Sequence, residues 1–366
     1  MRIALALILG IHGGIHLFGF LKAYDLAAFQ AITQPIPRPM GLLWLLAFLL
    51  LTAAALVLLV HGPSWWPLAL VGILLSQGLV LLHWSDARFG TLPNVLIAIA
   101  VVLAYGGQAF GRMAATEREH LIAAGRGPDG ALVTEEMLTG LPDPVQRWLR
   151  TSGVPGTAMV RQVYLEQDLE MVLAPDQERW KNGRARQYFT TDPPAFHWTV
   201  DLKMNRVMRV AGRDKFEAGK GAMTIRLLGL IPMANAQGDA RVDQATLQRY
   251  LAEVVWFPSA ALLPWITWEA IDAHSARATM THGGTEGSGI FHFDEDGTFR
   301  EFTALRYKDS GPDAVPIPWT VRAERSAVLN GIRVPVELRA QWTLPEGEWT
   351  WLKLRIDRIA YDAGIP

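Results

Sequence analysis

The chain has 366 residues, half of them hydrophobic, and a formal net charge of −1 at pH 7. Its apolar content exceeds that of an ordinary soluble domain, and the balanced charge provides no positive field that would favour nucleic acid as a partner. The sequence contains no cysteine, which excludes disulfide bonds, thiolate metal sites and cysteine nucleophiles.

Four apolar runs lie in the N-terminal third of the chain, at about 3–22, 41–60, 65–84 and 93–110. Each approaches the roughly 20 residues that an α-helix needs to cross a bilayer core. No small-residue cleavage pattern follows the first run, so we do not interpret it as a secretory signal. The sequence therefore predicts a four-helix transmembrane domain over residues 1–111, and the balanced basic residues at the helix ends leave its orientation open.

Two histidines one helical turn apart, His12 and His16, lie within the first run. Ionisable side chains in a bilayer are costly unless they face a bundle interior or a cavity, which predicts that this pair points inward. The first and third runs end at the same face of the membrane, which brings His16 close in depth to His83 and Asp86. These three residues form a candidate metal, quinone or proton site. The alternative is that the histidines hydrogen-bond neighbouring helices, with the two glycines between them allowing close approach.

A loss of apolar character marks the start of a second domain. Residues 112–132 are rich in charges, Gly and Pro, which predicts a linker, and residues 133–366 form a predicted soluble, β-rich domain. A short helix opens this domain in LPDPVQRWLRTSG, where Asp143 is the expected N-cap and Gly153 lies just beyond the end.

The rest of this domain alternates apolar and polar residues, as in FHWTVDLK, and this period is typical of half-buried strands. Asp296-Gly297 and Asn330-Gly331 suit tight hairpin turns because they accept positive φ. The pattern predicts a curved, mostly antiparallel, half-barrel-like sheet of eight to eleven strands. DQATLQRYLAEVVWFP instead has helical spacing, with Asp243 as the expected cap, and predicts one amphipathic helix packed on the sheet in an α+β arrangement.

That helix places Arg249 and Glu253 four residues apart. If this face turns into the concave side of the sheet, Glu253 is a candidate general base and Arg249 a candidate for holding an anionic head group. As a solvated pair they would contribute only about a few tenths of a kcal/mol. No nucleophile elbow, Walker loop, zinc-protease motif or dinucleotide fingerprint occurs, so no cofactor is predicted.

Tryptophan is abundant, with 14 in the chain. Large amphipathic rings either pack in a core or line a site for apolar ligands, where a few charged groups meet a polar head. The candidate ligand-binding residues chosen on this basis are Trp198, Arg226, Arg249, Glu253, Trp256, Trp268, Arg306 and Trp319.

Several stretches resemble known families. LPDPVQRWLRTSG, GRDKFEAGKGAMTIRLLGLIPMANAQG, LQRYLAEVVWFP and GIRVPVELRAQWTLPEGEWTWLKLRI are similar to a bacterial family of unknown function over roughly residues 135–362, and this resemblance implies no activity. The order of strands with one helix resembles the half-barrel carriers of the LolA/LolB type, which hold acyl chains in an apolar cavity. HGGIHLFGFLKA and WSDARFG resemble DoxX-like four-helix membrane proteins.

Together these features predict a multi-pass protein of the bacterial inner membrane whose β-rich domain binds an apolar or lipid-like ligand beside the bilayer. Membrane lipid and the bilayer are its expected partners. Two alternatives stay open. One is a membrane-bound enzyme, with a redox or metal site at His16, His83 and Asp86 or a hydrolase centre at Glu253. The other is a scaffold or assembly factor.

Overall fold

The computed structural model describes residues 2–30, 32–125, 130–205 and 208–365. The chain divides into two compact units, Met1–Gly111 and Arg112–Pro366. Each unit has its own buried apolar cluster.

The first unit is helical. Its long helices are α1 (Arg2–Ala23), α2 (Arg38–His61), α3 (Trp66–Leu82) and α4 (Thr91–Ala124), the last of which ends beyond the unit boundary, and a short helical turn, Trp84–Ala87, precedes α4. Three helical stretches, namely α1, α2 and Trp84–Ala124, are long and apolar enough to cross a membrane. Helix α3 has 17 residues and is shorter than the predicted third span, because the helical backbone conformation ends at His83.

Small residues set the packing of α1 on α2. A Cβ at Gly19 would lie 2.3 Å from the Trp44 ring, and one at Gly13 would lie 3.1 Å from Thr52 Oγ1. A Cβ at Gly14 would meet nothing within 4 Å. Of the two glycines between the histidines, only Gly13 therefore faces the neighbouring helix.

The second unit is built on one antiparallel sheet of 13 strands, in the order β6-β5-β4-β3-β2-β1-β13-β12-β11-β10-β9-β8-β7. The strands are β1 (Gln162–Met171), β2 (Lys181–Thr191), β3 (Pro194–Lys203), β4 (Arg209–Glu217), β5 (Lys220–Leu227), β6 (Ile231–Gln237), β7 (Ile266–Asp272), β8 (Ser275–His282), β9 (Thr285–Phe293), β10 (Phe299–Tyr307), β11 (Pro316–Leu329), β12 (Ile332–Leu344) and β13 (Gly347–Tyr361).

The predicted number of strands, eight to eleven, is too low. Turns at Ala218-Gly219 and Leu228-Gly229 place a non-glycine residue at positive φ, 51° for Ala218 and 56° for Leu228. Neither residue type signals such a turn in the sequence, because a side chain with a Cβ is unfavourable there.

The sheet curls around helix α6 (Ala240–Glu253), which follows the shorter helix α5 (Asp143–Thr151) in the chain. Helix α6 contacts β4, β5 and β6 from one end of the strand order and β8, β9 and β10 from the other. Since a helix is only about 10 Å wide, strands so far apart in a sheet can touch it only if the sheet is strongly curved. Thr285 Oγ1 also donates to Gly219 O at 2.7 Å, which joins the two arms. The predicted half-barrel with one packed amphipathic helix is confirmed.

Both predicted helix caps are wrong. Asp239, not Asp243, caps α6 by accepting from Arg241 N. The Asp243 carboxylate instead accepts from Gly221 N at 2.8 Å and Lys220 Nζ at 2.9 Å, since β5 packs beside this turn. Asp143 is the first residue of α5 and makes no capping bond.

The segment assigned to a linker is helical over residues 112–124. One of its charged side chains, that of Glu117, packs on the sheet. The Glu117 carboxylate lies 2.9 Å from Arg213 Nε, 3.4 Å from His197 Nε2 and 3.5 Å from Lys215 Nζ. The charges from which a linker was predicted therefore include one that contacts strands, and composition alone does not distinguish the two cases. Residues 126–129 of the same segment lie outside the described residues.

Candidate functional site

The middle of the concave face is filled by the chain itself. Helix α6 and the turns after it, Val254–Trp256 and Pro258–Leu262, bury Tyr250, Trp256 and Phe257 against the sheet. The core there is aromatic and tightly packed, as in Phe189, whose ring is tilted against that of Phe257 with the centroids 4.9 Å apart. A ligand on this face would therefore have to lie beside the filled centre.

A buried charged cluster lies where α6 meets the sheet. Arg249 Nε donates to Glu253 Oε1 at 2.9 Å, and Arg249 Nη1 donates to Asp214 Oδ2 at 2.5 Å. The guanidinium also stacks on Phe196 and Trp198, 4.9 and 4.8 Å from the ring centroids. All three charged side chains are less than one-fifth exposed. The face of α6 that carries Arg249 and Glu253 therefore points into the concavity. The two residues do not form a solvated surface pair.

Three uncharged side chains extend this cluster into the sheet. Gln187 Nε2 donates to Glu253 Oε2 at 2.7 Å, and Gln167 Nε2 donates to Gln187 Oε1 at 3.0 Å. The indole of Trp198 completes the chain by donating to Gln167 Oε1 at 3.0 Å. Buried polar groups that are bonded in this way are held in one orientation.

Burial and ion pairing together shift the pKa values of this cluster. Burial raises the pKa of the Glu253 carboxyl above its usual range, although Arg249 opposes that shift. Burial also lowers the pKa of Arg249, but the Glu253 and Asp214 carboxylates outweigh it, so the net shift is upward. Each Glu253 oxygen already accepts a hydrogen bond, one from Arg249 and one from Gln187. This arrangement favours a structural role for Glu253 over that of a general base, which needs an oxygen aimed at a substrate.

A second arginine, Arg306 on β10, lies on the other arm of the half-barrel. Its Nε donates to Ala245 O of α6 at 2.8 Å, and its guanidinium stacks over Trp319 and Trp342, 4.4 and 5.6 Å from the ring centroids. Burial and, to a smaller extent, the charge of Arg249 lower the pKa of Arg306 to about 10, although the Asp214 and Glu253 carboxylates oppose the shift. Among the described residues, no carboxylate forms an ion pair with Arg306.

A row of tryptophans crosses this arm. Trp319 pairs with Trp342 across β11 and β12, and Trp342 pairs with Trp349 across β12 and β13. Directly opposite residues share a face of a sheet, so all three rings lie on the core side. Trp319 and Trp342 are buried, whereas Trp349 is only partly covered, as is Trp198 on the facing arm. We call Trp319, Trp342 and Trp349 the tryptophan row.

Three predicted ligand-binding residues lie elsewhere. Trp256 is buried, with its indole donating to Pro335 O, and Trp268 donates to Ala261 O and packs on Phe291. Both belong to the core. Arg226 pairs with Ala211 on β4, and Thr224 pairs with Arg213 two positions along. Residues two apart on a strand share a face, so Arg226 lies on the same side of the sheet as Arg213, opposite to the core.

That opposite face carries a cavity of about 970 Å³. Its walls combine acidic and basic side chains, several of them ion-paired, such as Arg355 with Asp168 and Arg339 with Glu324. A surface of this kind suits water and ions rather than an apolar ligand. The charged side chains that line it are Asp168, Glu170, Arg184, Asp201, Lys203, Arg209, Glu324, Glu337, Arg339, Lys353 and Arg355.

In the first unit, His12 bridges helices. Its Nε2 lies 2.8 Å from Asn94 Oδ1 and 3.1 Å from Ser76 Oγ, which links α1 to α4 and α3. His16 Nδ1 hydrogen-bonds His12 O at 2.8 Å. For His12, the geometry matches the predicted inter-helix hydrogen bonding.

The other two members of the predicted metal or quinone site do not gather around His16. The Trp44 ring lies against both His16 and His83, with centroid distances of 5.3 and 5.6 Å. The Asp86 carboxylate accepts from Thr33 N at 2.6 Å and also from Gln34 N, which ties it to the loop after α1. Within the described ranges, no group of three or more His, Asp or Glu is placed to hold a metal ion.

Sequence reasoning missed Asp214, Gln167, Gln187 and Trp342. A usable signal was present for the three polar residues. Each occupies an inward position of its strand, as Asp214 does between buried Val210 and Phe216. A polar side chain at such a position requires a buried partner, and that requirement marks a cluster.

Comparison with known proteins shows to which family the chain belongs. The sequence model of a family of unknown function, DUF6544, matches residues 131–354. The chain belongs to this family. None of the curated proteins compared with it matches. Among solved structures, the DUF6544 chain is similar to a LolA superfamily protein from Nitrosomonas europaea, with 13% sequence identity and a TM-score of 0.33, covering 61% of this chain and 94% of that one.

The resemblance to a family of unknown function is thereby confirmed. Neither comparison supplies an activity, and the resemblance to DoxX-like proteins stays a prediction.

Proposed function

We propose that this DUF6544 chain is a membrane-anchored binding protein that holds an apolar or amphipathic, lipid-like ligand on the concave face of its half-barrel. The observation that carries the proposal is the pair of partly covered aromatic walls, Trp349 at the end of the tryptophan row and Trp198 on the facing arm. Partly exposed aromatic side chains beside a few oriented charges are typical of sites for such ligands.

The N-terminal unit supports the membrane part of this proposal. Three helical stretches have the length and composition of membrane spans, and their outward side chains are apolar, as with Ile3 at 70% and Val60 at 72% exposure. Side chains of this kind are stable in lipid and unfavourable in water. We infer a multi-pass protein of the bacterial inner membrane, with the bilayer and its lipids as partners.

An enzyme is the weaker candidate. Both Glu253 oxygens are engaged, and Asp86 is held in a loop. A redox role for His16 and His83, and a scaffold role for the whole chain, stay predictions that no contact in the described residues favours.

Binding is tested by replacing one aromatic wall. Full-length protein, purified in detergent and transferred to phosphatidylcholine nanodiscs, is titrated with dibrominated stearate and its alcohol, whose bromines quench tryptophan fluorescence on contact. We expect saturable quenching that Trp349→Glu weakens about tenfold or more, because a carboxylate in the wall must be desolvated.

Leu305→Glu is the matched control. Leu305 is 63% exposed and adjoins Arg306 on β10, so its side chain points to the other face. The proposal fails if neither compound binds the parent protein, or if the two variants weaken binding equally.

A further inference from the structure

Two arginines in the concavity differ in their partners. Arg249 is held by two carboxylates, those of Asp214 and Glu253. Arg306 uses only Nε, which donates to Ala245 O, and its two terminal nitrogens donate to no described residue. A partly buried guanidinium whose terminal nitrogens are unused retains the fork of donors that binds carboxylate or phosphate with two parallel hydrogen bonds.

A second donor without a partner lies beside it. Trp319 is 4% exposed, and its indole Nε1 has no hydrogen-bond partner among the described residues. The Arg306 guanidinium lies 4.4 Å from the centroid of the same ring. Buried polar atoms are almost always hydrogen-bonded, so an unpaired buried donor next to an unpaired cation indicates an acceptor that binds at this place.

The surroundings restrict what that acceptor is attached to. The tryptophan row continues from Trp319 through Trp342 to the partly covered Trp349. A molecule whose acid group meets Arg306 would therefore lay an apolar portion along these rings. The stacked rings also hold the guanidinium in place without neutralising it.

We propose that Arg306 and the Trp319 indole form the head-group site for an anionic amphiphile, a carboxylate or phosphate carried on an apolar chain. This inference rests on the proposed function and specifies the ligand class for that site. Arg306 supplies two N–H groups to the acid oxygens, Trp319 supplies one more, and the rest of the tryptophan row contacts the chain. Arg249 is already neutralised by its own carboxylates and does not bind the head group.

The test compares each acid with its neutral counterpart in full-length protein in phosphatidylcholine nanodiscs. Quenching titrations use dibrominated stearate against the matching alcohol, and phosphatidate with brominated chains against the matching diacylglycerol. The parent protein should bind the acids at least about tenfold more tightly than the neutral compounds, since hydrogen bonds to a charged group are the strong ones. The acid with the larger preference identifies the source as fatty acid or phospholipid.

Arg306→Gln should reduce the preference for acid to about twofold or less and leave the affinity for the alcohol unchanged. Arg322→Gln is the control, because Arg322 lies on the opposite face of β11 and pairs with Glu301. Trp319→Phe keeps the ring but removes the indole N–H, so the preference should fall severalfold. This second variant still tests the site if Arg306→Gln does not fold.

The possible outcomes distinguish a failure of the head-group site from a failure of the proposed function. If the parent protein binds acid and alcohol equally, the head-group site is wrong and the proposed function stands. A loss of preference in Arg322→Gln as large as that in Arg306→Gln would also overturn the site. If no brominated compound quenches the parent protein, the proposed function itself fails.

Discussion

The two units of this chain place polar and apolar side chains in opposite ways. The helical unit exposes large apolar residues such as Leu7 and Ile11 and buries His12, Ser76 and Asn94. The sheet unit buries a large aromatic core and keeps most of its charges outside. Burial of apolar surface therefore stabilises the second unit, whereas close backbone approach and a few polar bonds orient helices in the first.

Because of this contrast, buried polar groups have different explanations in the two units. In the helical unit, the His12 contacts with Ser76 and Asn94 join three helices and are explained by packing. In the sheet unit the apolar core already supplies the cohesion, so Arg306, which has no carboxylate partner among the described residues, needs another reason. The proposed head-group site provides that reason.

The largest expected effect concerns the charged cluster of the sheet unit. Glu253→Leu leaves the buried Arg249 with Asp214 alone, and breaking a buried ion pair from one side costs about 3 kcal/mol. The free energy of unfolding, measured by urea titration with tryptophan fluorescence, should therefore fall by about that amount. Glu337→Leu removes the carboxylate of an exposed pair with Arg325 and should cost less than about 1 kcal/mol. Equal losses would mean that the inner cluster is no more buried than the outer pair.

A smaller effect is expected in the helical unit. Gly19→Leu places a side chain where even a Cβ meets the Trp44 ring at 2.3 Å, and overpacking of this kind typically costs about 1 to 3 kcal/mol. The thermal aggregation temperature of the detergent-solubilised protein should drop. Gly14→Leu is the control, because no atom lies within 4 Å of a Cβ there. A neutral Gly19→Leu would contradict the tight packing of α1 on α2.

The smallest effect is expected in the sheet unit, where the stability should depend on pH through Glu117. Burial raises the pKa of Glu117, but the His197 hydrogen bond and the charges of Arg213 and Lys215 outweigh it and lower the pKa below the ordinary value of 4.5. A carboxyl with a depressed pKa in the folded state contributes stability that is present above pH 4.5 and lost as the pH falls below it.

Glu117→Gln should therefore lower the free energy of unfolding at neutral pH, by about 1 kcal/mol as for a partly exposed ion pair, and flatten the loss of stability on acidification. The measurement is urea unfolding at a series of pH values from neutral to acidic. Glu119→Gln is a suitable control, since Glu119 is 71% exposed on the same helical segment. A parent-like acid profile in Glu117→Gln would show that this carboxylate does not secure the segment to the sheet.

Much of the fold could be predicted because its causes are local. Alternation in FHWTVDLK marked β3, and Asn330-Gly331 marked the β11–β12 turn, where both residues have positive φ. The number of strands could not be predicted, since the turns at Ala218-Gly219 and Leu228-Gly229 place a non-glycine residue at positive φ before the glycine, which no sequence pattern signals. Asp243 looked like a helix cap, but its real partners, Lys220 and Gly221, are recruited by tertiary packing.

The candidate site, too, has a part that follows from local sequence and a part that depends on tertiary contacts. The sequence by itself determined that apolar helices precede a curved antiparallel sheet and that Arg249 and Glu253 share one face of its helix, because spacing along an element sets which side chains lie together. Only the tertiary structure decided that Asp214 and Gln187 meet that face and that Arg226 points away from it. It also decided that Arg306 reaches the tryptophan row with no carboxylate partner among the described residues. The physical reason is that these contacts form between strands distant in sequence, where register and curvature of the sheet choose the partner and no local pattern records it.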